Sequence, residues 1–204
     1  MARHADPIRL LLAQGPMAAR QIVERTGISQ PTVSRALAAL GGEVVRIGAG
    51  SAIRYALRDP ARGFASVPIY RVGDEGLIRE LGTLVPVRPG GFVMIQADGV
   101  TLHTEGLPWW LLDMRPQGYL GRAYASTHAA ALGLPANPEH WGDAEVIRAL
   151  LAHGHDAIGN LLIGELARDR FIGMPPPSPV DRFGDYPALA RAASSGDVPG
   201  SSAG

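Results

Sequence analysis

The sequence predicts an α+β fold: a helical front module, then a small antiparallel sheet or partial barrel with further helices. Three observations predict it. Apolar residues recur at helical spacing through residues 8–40, β-prone runs separated by turn clusters fill residues 43–104, and helical spacing returns after Gly106. At 204 residues, 46% hydrophobic and 19% charged, the chain has the composition of a globular protein with one large core or two small ones. No apolar run approaches the ~18 residues that a membrane span needs, and the apolar stretch in residues 1–13 is too short and interrupted for a signal peptide. The expectation is a cytoplasmic protein with no membrane association. The absence of cysteine removes disulfides and thiolate metal sites.

In the front module, Ile8, Leu11 and Leu12 stand at i, i+3 and i+4 after Asp6-Pro7, and Gly15-Pro16 ends that helix. Ala18, Ile22 and Val23 repeat the pattern up to Gly27. Ser29 is placed as an N-cap, Pro31 suits a first turn, and Val33, Leu37 and Leu40 mark the buried side of a third helix closing at Gly41-Gly42. Two short helices joined by a tight glycine-containing turn form a helix-turn-helix unit, whose second helix enters the major groove of DNA. Its leading polar residues are Ser29, Gln30, Thr32, Ser34 and Arg35. Arg35 can fork onto guanine and Gln30 onto adenine, and the hydroxyls suit phosphates.

Residues 43–47 are β-prone, 48–51 form a turn, and 53–57 alternate cleanly, which predicts a β-hairpin wing. Ile53, Tyr55 and Leu57 would face the core with Arg54 outward, so that Arg46 and Arg54 reach the DNA backbone beside the groove. The module is therefore expected to bind double-stranded DNA, as a dimer reading half-sites about one helical turn apart. The alternative is a three-helix scaffold that contacts protein or binds nothing.

A net charge of zero hides an asymmetry. Residues 1–62 hold nine arginines and four acidic residues, a surplus of five positive charges; the remainder holds ten arginines and fifteen acidic residues, an equal deficit. A basic module joined to an acidic one points to a nucleic-acid partner for the basic half. All nineteen basic residues are arginine, so chemistry that requires a lysine is excluded from this chain.

The remainder reads as strands at 67–72, 77–87, 92–96 and 100–104, with turn clusters at 73–76, 89–91 and 97–99. Helical patterns follow at 108–114, 117–132, 143–153 and 158–166. The organisation expected is a DNA-binding domain at 1–62, an α+β domain at 63–190, and a Gly/Ser-rich segment at 191–204. His153 and His155 flank Gly154 in an expected loop, where isolated histidines seldom ligate metal, and no metal site is assigned. Trp109-Trp110 is read as core, and the proline-rich 175–179 as a stiff connector. Arg168-Asp169 lacks the asparagine of a kinase catalytic loop five residues on, where Met174 stands. Residues 192–204 are a flexible terminus by composition; the other reading is a phosphate-cradling loop, although no Gly-Lys-Ser/Thr follows.

Four stretches, "LGTLVPV" (81–87), "LPWWLLDMRPQGYLGRAYA" (107–125), "GHDAIGNLLIG" (154–164) and "DVPGSSAG" (197–204), resemble in their order the HipA family, bacterial serine/threonine kinase toxins of toxin–antitoxin systems. The leading helix-turn-helix resembles the YjjJ-like branch. The resemblance covers essentially the whole chain and is most specific at 107–125 and in the tail. It implies that the strand-rich segment is the N-terminal subdomain of the kinase amino lobe. The tail would open the Gly-rich nucleotide loop, with Ser201 matching the autophosphorylated serine, Ser202 a neighbouring candidate, and Gly204 in the same loop. ATP and magnesium would be cofactors of the full kinase, whose core lies in cis or in trans, and the DNA bound would be its own promoter.

In the family the loop continues into a Gln-x-Lys segment and a kinase body. Phosphoryl transfer needs a lysine on the phosphates and a catalytic aspartate. With neither recognisable, no catalytic residue and no cofactor is assigned to this chain, and it is expected to be inert alone, as a truncation or as the front half of a split system. A stand-alone transcriptional regulator and an antitoxin-like subunit docking on a separately encoded kinase core are the alternatives.

Overall fold

Three short helices build the front of the chain around one apolar core. The computed structural model describes residues 4–175, 181 and 183–195. Helix α1 (Ala5–Leu12) buries Ile8 and Leu12, α2 (Ala19–Thr26) buries Ile22, and α3 (Gln30–Leu40) buries Val33, Ala36, Leu37 and Leu40. Helix α2 begins where the Gln21 side chain accepts from the Ala18 amide at 2.9 Å. It ends at Gly27, whose φ of 67° lies in the left-handed region that glycine enters without steric cost, and whose N–H closes on the Val23 carbonyl. Ser29 is the N-cap residue of α3 by position. The expectation that its hydroxyl caps the helix is corrected, because that hydroxyl meets the Thr32 hydroxyl at 3.0 Å instead.

Strands β1 (Val44–Ile47) and β2 (Arg54–Leu57) form an antiparallel hairpin in the register Val44↔Leu57, Val45↔Ala56, Arg46↔Tyr55, Ile47↔Arg54. Met17 bridges the free edge of β2 through two backbone bonds with Tyr55, of 3.0 and 2.8 Å. On one face, Leu57 and Tyr55 join the helical core. On the other, Val45, Ile47 and Ala56 pack on Val85, Val87 and Val93. Alternation in the sequence points to one buried face. The hairpin has two, and Ala56, on the face expected outside, is 0% exposed.

The second sheet has strand order β6-β5-β4-β3-β7. Strands β3 (Val67–Val72), β4 (Ile78–Val87), β5 (Gly91–Gln96) and β6 (Thr101–Thr104) follow the four expected runs to within a residue. Strands β4, β5 and β6 form an antiparallel meander, with Val85↔Val93 and Val93↔His103 in register. Beyond it come a 3₁₀ stretch at Trp109–Met114, then α4 (Gly118–Leu132) and α5 (Asp143–His153), close to the helical spans expected.

The expected helix at 158–166 is not one element. Leu161–Ile163 forms strand β7, fully buried, and Glu165–Gly173 forms helix α6. A short continuous apolar run carries no period of its own, and Gly164, at φ 87°, breaks the chain between strand and helix. Helix α7 (Asp185–Ser195) occupies a stretch for which no element was expected. Trp109 is 77% exposed, against its reading as core; the buried indole is Trp141, 2% exposed, which donates to the Pro135 carbonyl at 2.7 Å. The connector residues 176–179 and the tail from residue 196 lie outside the described residues.

The chain divides into two compact units, Met1–Ile69 with Glu80–Trp109, and Tyr70–Arg79 with Trp110–Gly204. The architecture is α+β: a helix-turn-helix front with mixed helices and antiparallel sheet.

Candidate nucleic-acid interface

The turn between α2 and α3 is held by side chains as well as by Gly27. The Thr26 hydroxyl donates to the Ile22 carbonyl at 2.7 Å and accepts from the Ile28 amide at 3.2 Å. The Ser29 carbonyl accepts from the Thr32 and Val33 amides at 2.9 and 3.0 Å, starting α3 at once. With Val33, Ala36, Leu37 and Leu40 committed to the core, the opposite face is left to water. Ser29, Gln30, Ser34 and Arg35 are exposed there and Thr32 is half-buried.

Three of these residues form one connected row at i, i+3 and i+6. Thr32 Oγ1 lies 3.0 Å from Ser29 Oγ and accepts from Arg35 Nη2 at 3.2 Å, and Arg35 Nε reaches the Pro31 carbonyl at 3.3 Å. The guanidinium thus lies along its own helix, with its direction set by a hydroxyl. Gln30 and Ser34 form the adjacent row at i, i+4, both exposed.

The hairpin does not bring its two arginines together. Cross-strand partners share a face. Arg46 therefore stands beside Tyr55 on the helical side, and Arg54 beside Ile47 on the side packed against the second sheet. Both are exposed. His103 of β6 feels the Arg54 charge: its imidazole is held below its usual range by burial and then by that charge, with Glu105 pulling the other way.

Ion pairing sorts the arginines of the front module. Arg9 bonds Glu43 at 2.8 Å and pairs with Asp6, holding the Glu43 carboxyl below its usual range. Arg20 pairs with Glu24 at 2.8 Å. Arg62 pairs with Asp59 at 3.3 Å and lies over the Phe92 ring at 4.8 Å. Arg58 donates to the Ser66 hydroxyl at 2.6 Å. Among the described residues, the exposed arginines Arg25, Arg35, Arg46 and Arg54 make no ion pair, nor does the half-buried Arg58. Arg25, exposed in the last turn of α2, is the one that the sequence reading passed over. Its position just before the turn was the available signal.

The second unit holds a ring cluster. His153 closes α5, as the helical span expected at 143–153 has it, and His155 follows in the expected loop. The His153 Nδ1 lies 2.8 Å from the Tyr124 hydroxyl, and the His153 ring lies 4.3 Å from that of His128. Burial pushes Tyr124 up to about 12 and lowers His153 and His155, with nearby His128 and Arg170 lowering His153 further. A cleft of about 130 Å³ beside this cluster is lined by Met114, Arg115, Leu120, Tyr124, His153 and Ile158, among others. Among the described residues no group of three or more His, Asp or Glu side chains is placed to hold a metal ion. Ser201, Ser202 and Gly204 lie outside the described residues.

The front of the chain is a helix-turn-helix of the DNA-binding class: residues 8–43 match the family of bacterial regulatory proteins of arsR type. Residues 64–172 match the middle domain of YjjJ-like toxins. The chain belongs to the YjjJ-like toxin family. It is 39% identical over 198 residues to Toxin YjjJ of Escherichia coli (strain K12), an alignment covering 95% of this chain and 44% of that protein. The chain thus spans less than half the length of that relative. No solved structure matches it. Among the described residues no helix is long and apolar enough to cross a membrane.

Proposed function

We propose that this chain is the DNA-addressing front portion of a HipA-like serine/threonine kinase toxin, acting in the cytoplasm on the promoter of its own toxin–antitoxin operon. The observation that carries the DNA-binding part is the outward row Ser29–Thr32–Arg35 at the head of α3, in a module whose arginines 25, 35, 46 and 54 are left without carboxylate partners. In this reading β1–β2 is the wing of a winged helix-turn-helix, since it follows α3 directly and carries two exposed arginines. Ser29, Gln30, Thr32, Ser34 and Arg35 face base edges and phosphates, Arg46 and Arg54 contact the backbone, and a second copy reads the second half-site.

The sequence organisation proposed is a winged helix-turn-helix at 1–62, a HipA N-terminal subdomain-like stretch at 63–190, and, within 191–204 beyond the end of α7 at Ser195, the opening of a nucleotide loop. Family membership supports the toxin reading. The kinase reading rests on the resemblance of residues 81–87, 107–125, 154–164 and 197–204 to the HipA family. Ser201, with Ser202 and Gly204 beside it, is the proposed autophosphorylation site on the same ground. The residues present do not fit ATP by themselves, because no lysine is available to the phosphates. ATP and magnesium belong, in this reading, to a kinase core in cis or in trans, and this stretch alone transfers no phosphate.

The test is fluorescence anisotropy of the purified chain on duplex DNA from immediately upstream of its own gene. Salt-dependent binding is expected, with Arg35→Ala costing about 1–3 kcal/mol concentrated at one base pair. Binding that ignores salt, or no binding, overturns the proposal.

A further inference from the structure

The hairpin carries Arg46 and Arg54 only as well as its tip is held, and the tip is held from outside the helix-turn-helix. The Gly48 amide, at the end of β1, donates to the Thr101 hydroxyl at 2.7 Å, across 53 residues of sequence. Thr101 is the first residue of β6 and pairs with Ile95 of β5. Ile95 and Val93, on the same face as Thr101, pack against Val45, Ile47 and Ala56 of the hairpin. His103, two residues along β6 on that face, is close enough for the Arg54 charge to act on its imidazole. The apolar contact fixes the plane of the hairpin. The hydrogen bond ties the turn to β6 as well.

We infer that Thr101 is a positioning residue for DNA binding, holding the hairpin tip through Gly48 so that Arg46 and Arg54 meet the DNA backbone. The inference rests on the DNA-binding reading above. It extends the DNA-binding apparatus into β6, within the stretch matched by the YjjJ-like middle domain. Without the hydroxyl, the turn samples orientations in which the two guanidinium groups miss their phosphates, and a preorganised contact becomes one that must be ordered on binding.

The experiment compares the full chain with Thr101→Val and Thr101→Ser, using a labelled duplex from immediately upstream of its own gene. Valine keeps the shape and the strand preference of threonine, and the melting temperature reports whether the variant folds. Thr101→Val is expected to weaken binding about fivefold, the order set by one net hydrogen bond, with a shallower salt dependence. Thr101→Ser is expected to restore both, and amide exchange at Gly48 to speed up in Thr101→Val alone. Equal binding by Thr101→Val and the unaltered chain overturns the inference, as does a Thr101→Ser variant as weak as Thr101→Val. If the unaltered chain binds no DNA, the DNA-binding reading itself fails; if it binds and the valine variant binds equally, only the role of Thr101 fails.

Discussion

Arg46 and Arg54 stand on opposite faces of one two-stranded hairpin. The register pairs Arg46 with Tyr55 and Arg54 with Ile47, and these partners belong to different cores. Two arginines that look alike in the sequence therefore have different neighbours and different electrostatic consequences.

Arg54 should be felt by a histidine and Arg46 should not. Burial is the main reason why His103 titrates low, and the Arg54 charge is the second. In Arg54→Ala, the His103 imidazole should move part of the way back toward its usual value of 6.5. An NMR titration of His103 checks this. Unchanged titration in Arg54→Ala, or an equal shift in Arg46→Ala, contradicts the assignment of faces.

Acid should loosen the fold in the range where histidine titrates. His103, His153 and His155 all have folded-state values below the ordinary 6.5. As pH falls below that value, the unfolded chain takes up protons that the folded chain refuses, so stability present above about 6.5 is lost on the way down. Thermal melts from about pH 7.5 to about pH 5.5 should show a falling melting temperature. A flat or rising one excludes these imidazoles as the cause.

Gly82 should not accept a side chain. A Cβ there would lie 2.1 Å from the Ile95 carbonyl oxygen and 2.7 Å from the Gln96 Cα, with φ at 143°. Both obstacles are backbone of the neighbouring strand, so β4 and β5 would have to part. Gly82→Ala is expected to destabilise by about 3 kcal/mol in denaturant titration. A loss below about 0.5 kcal/mol would show that the two strands separate at that point without cost.

The two tryptophans at 109 and 141 should respond oppositely to truncation. Trp141 is enclosed, with its N–H on the Pro135 carbonyl and its ring edge-on to Tyr124 at 6.0 Å, while Trp109 is largely in water. Trp141→Ala should cost about 3–5 kcal/mol, and Trp109→Ala should stay within about 0.5 kcal/mol. Equal effects in urea melts would contradict the burial assigned to either ring.

Legibility in the sequence followed the physics of each signal. Helices α2 and α3 were readable because their apolar residues recur at helical spacing and Gly27 sits where a left-handed residue is needed. Strands β3 to β6 were readable because turn clusters separate them. Strand β7 was not, since three consecutive apolar residues fit strand and helix alike. Nor was the burial of Ala56: its partners Val85 and Val93 are 29 and 37 residues away, and a two-residue period says only which residues share a face. At the interface, the polar head of α3 could be read from composition and position. The hydroxyl link from Ser29 through Thr32 to Arg35 needed helical geometry. The division of Arg46 from Arg54 needed the hairpin register.

A hairpin with both faces buried also limits how this front end can be exchanged. Residues 45, 47 and 56 are read by two tenants at once, the helices through the strands' backbone placement and the second sheet through direct contact. A regulator module from another protein, grafted at residue 62 with polar side chains at those three positions, would leave Val85, Val87 and Val93 facing water. The arsR-type front and the toxin-family stretch behind it are thus constrained to change together across that seam, and, if the proposed DNA reading holds, a new DNA address is reached more readily by altering the exposed head of α3 than by replacing the module.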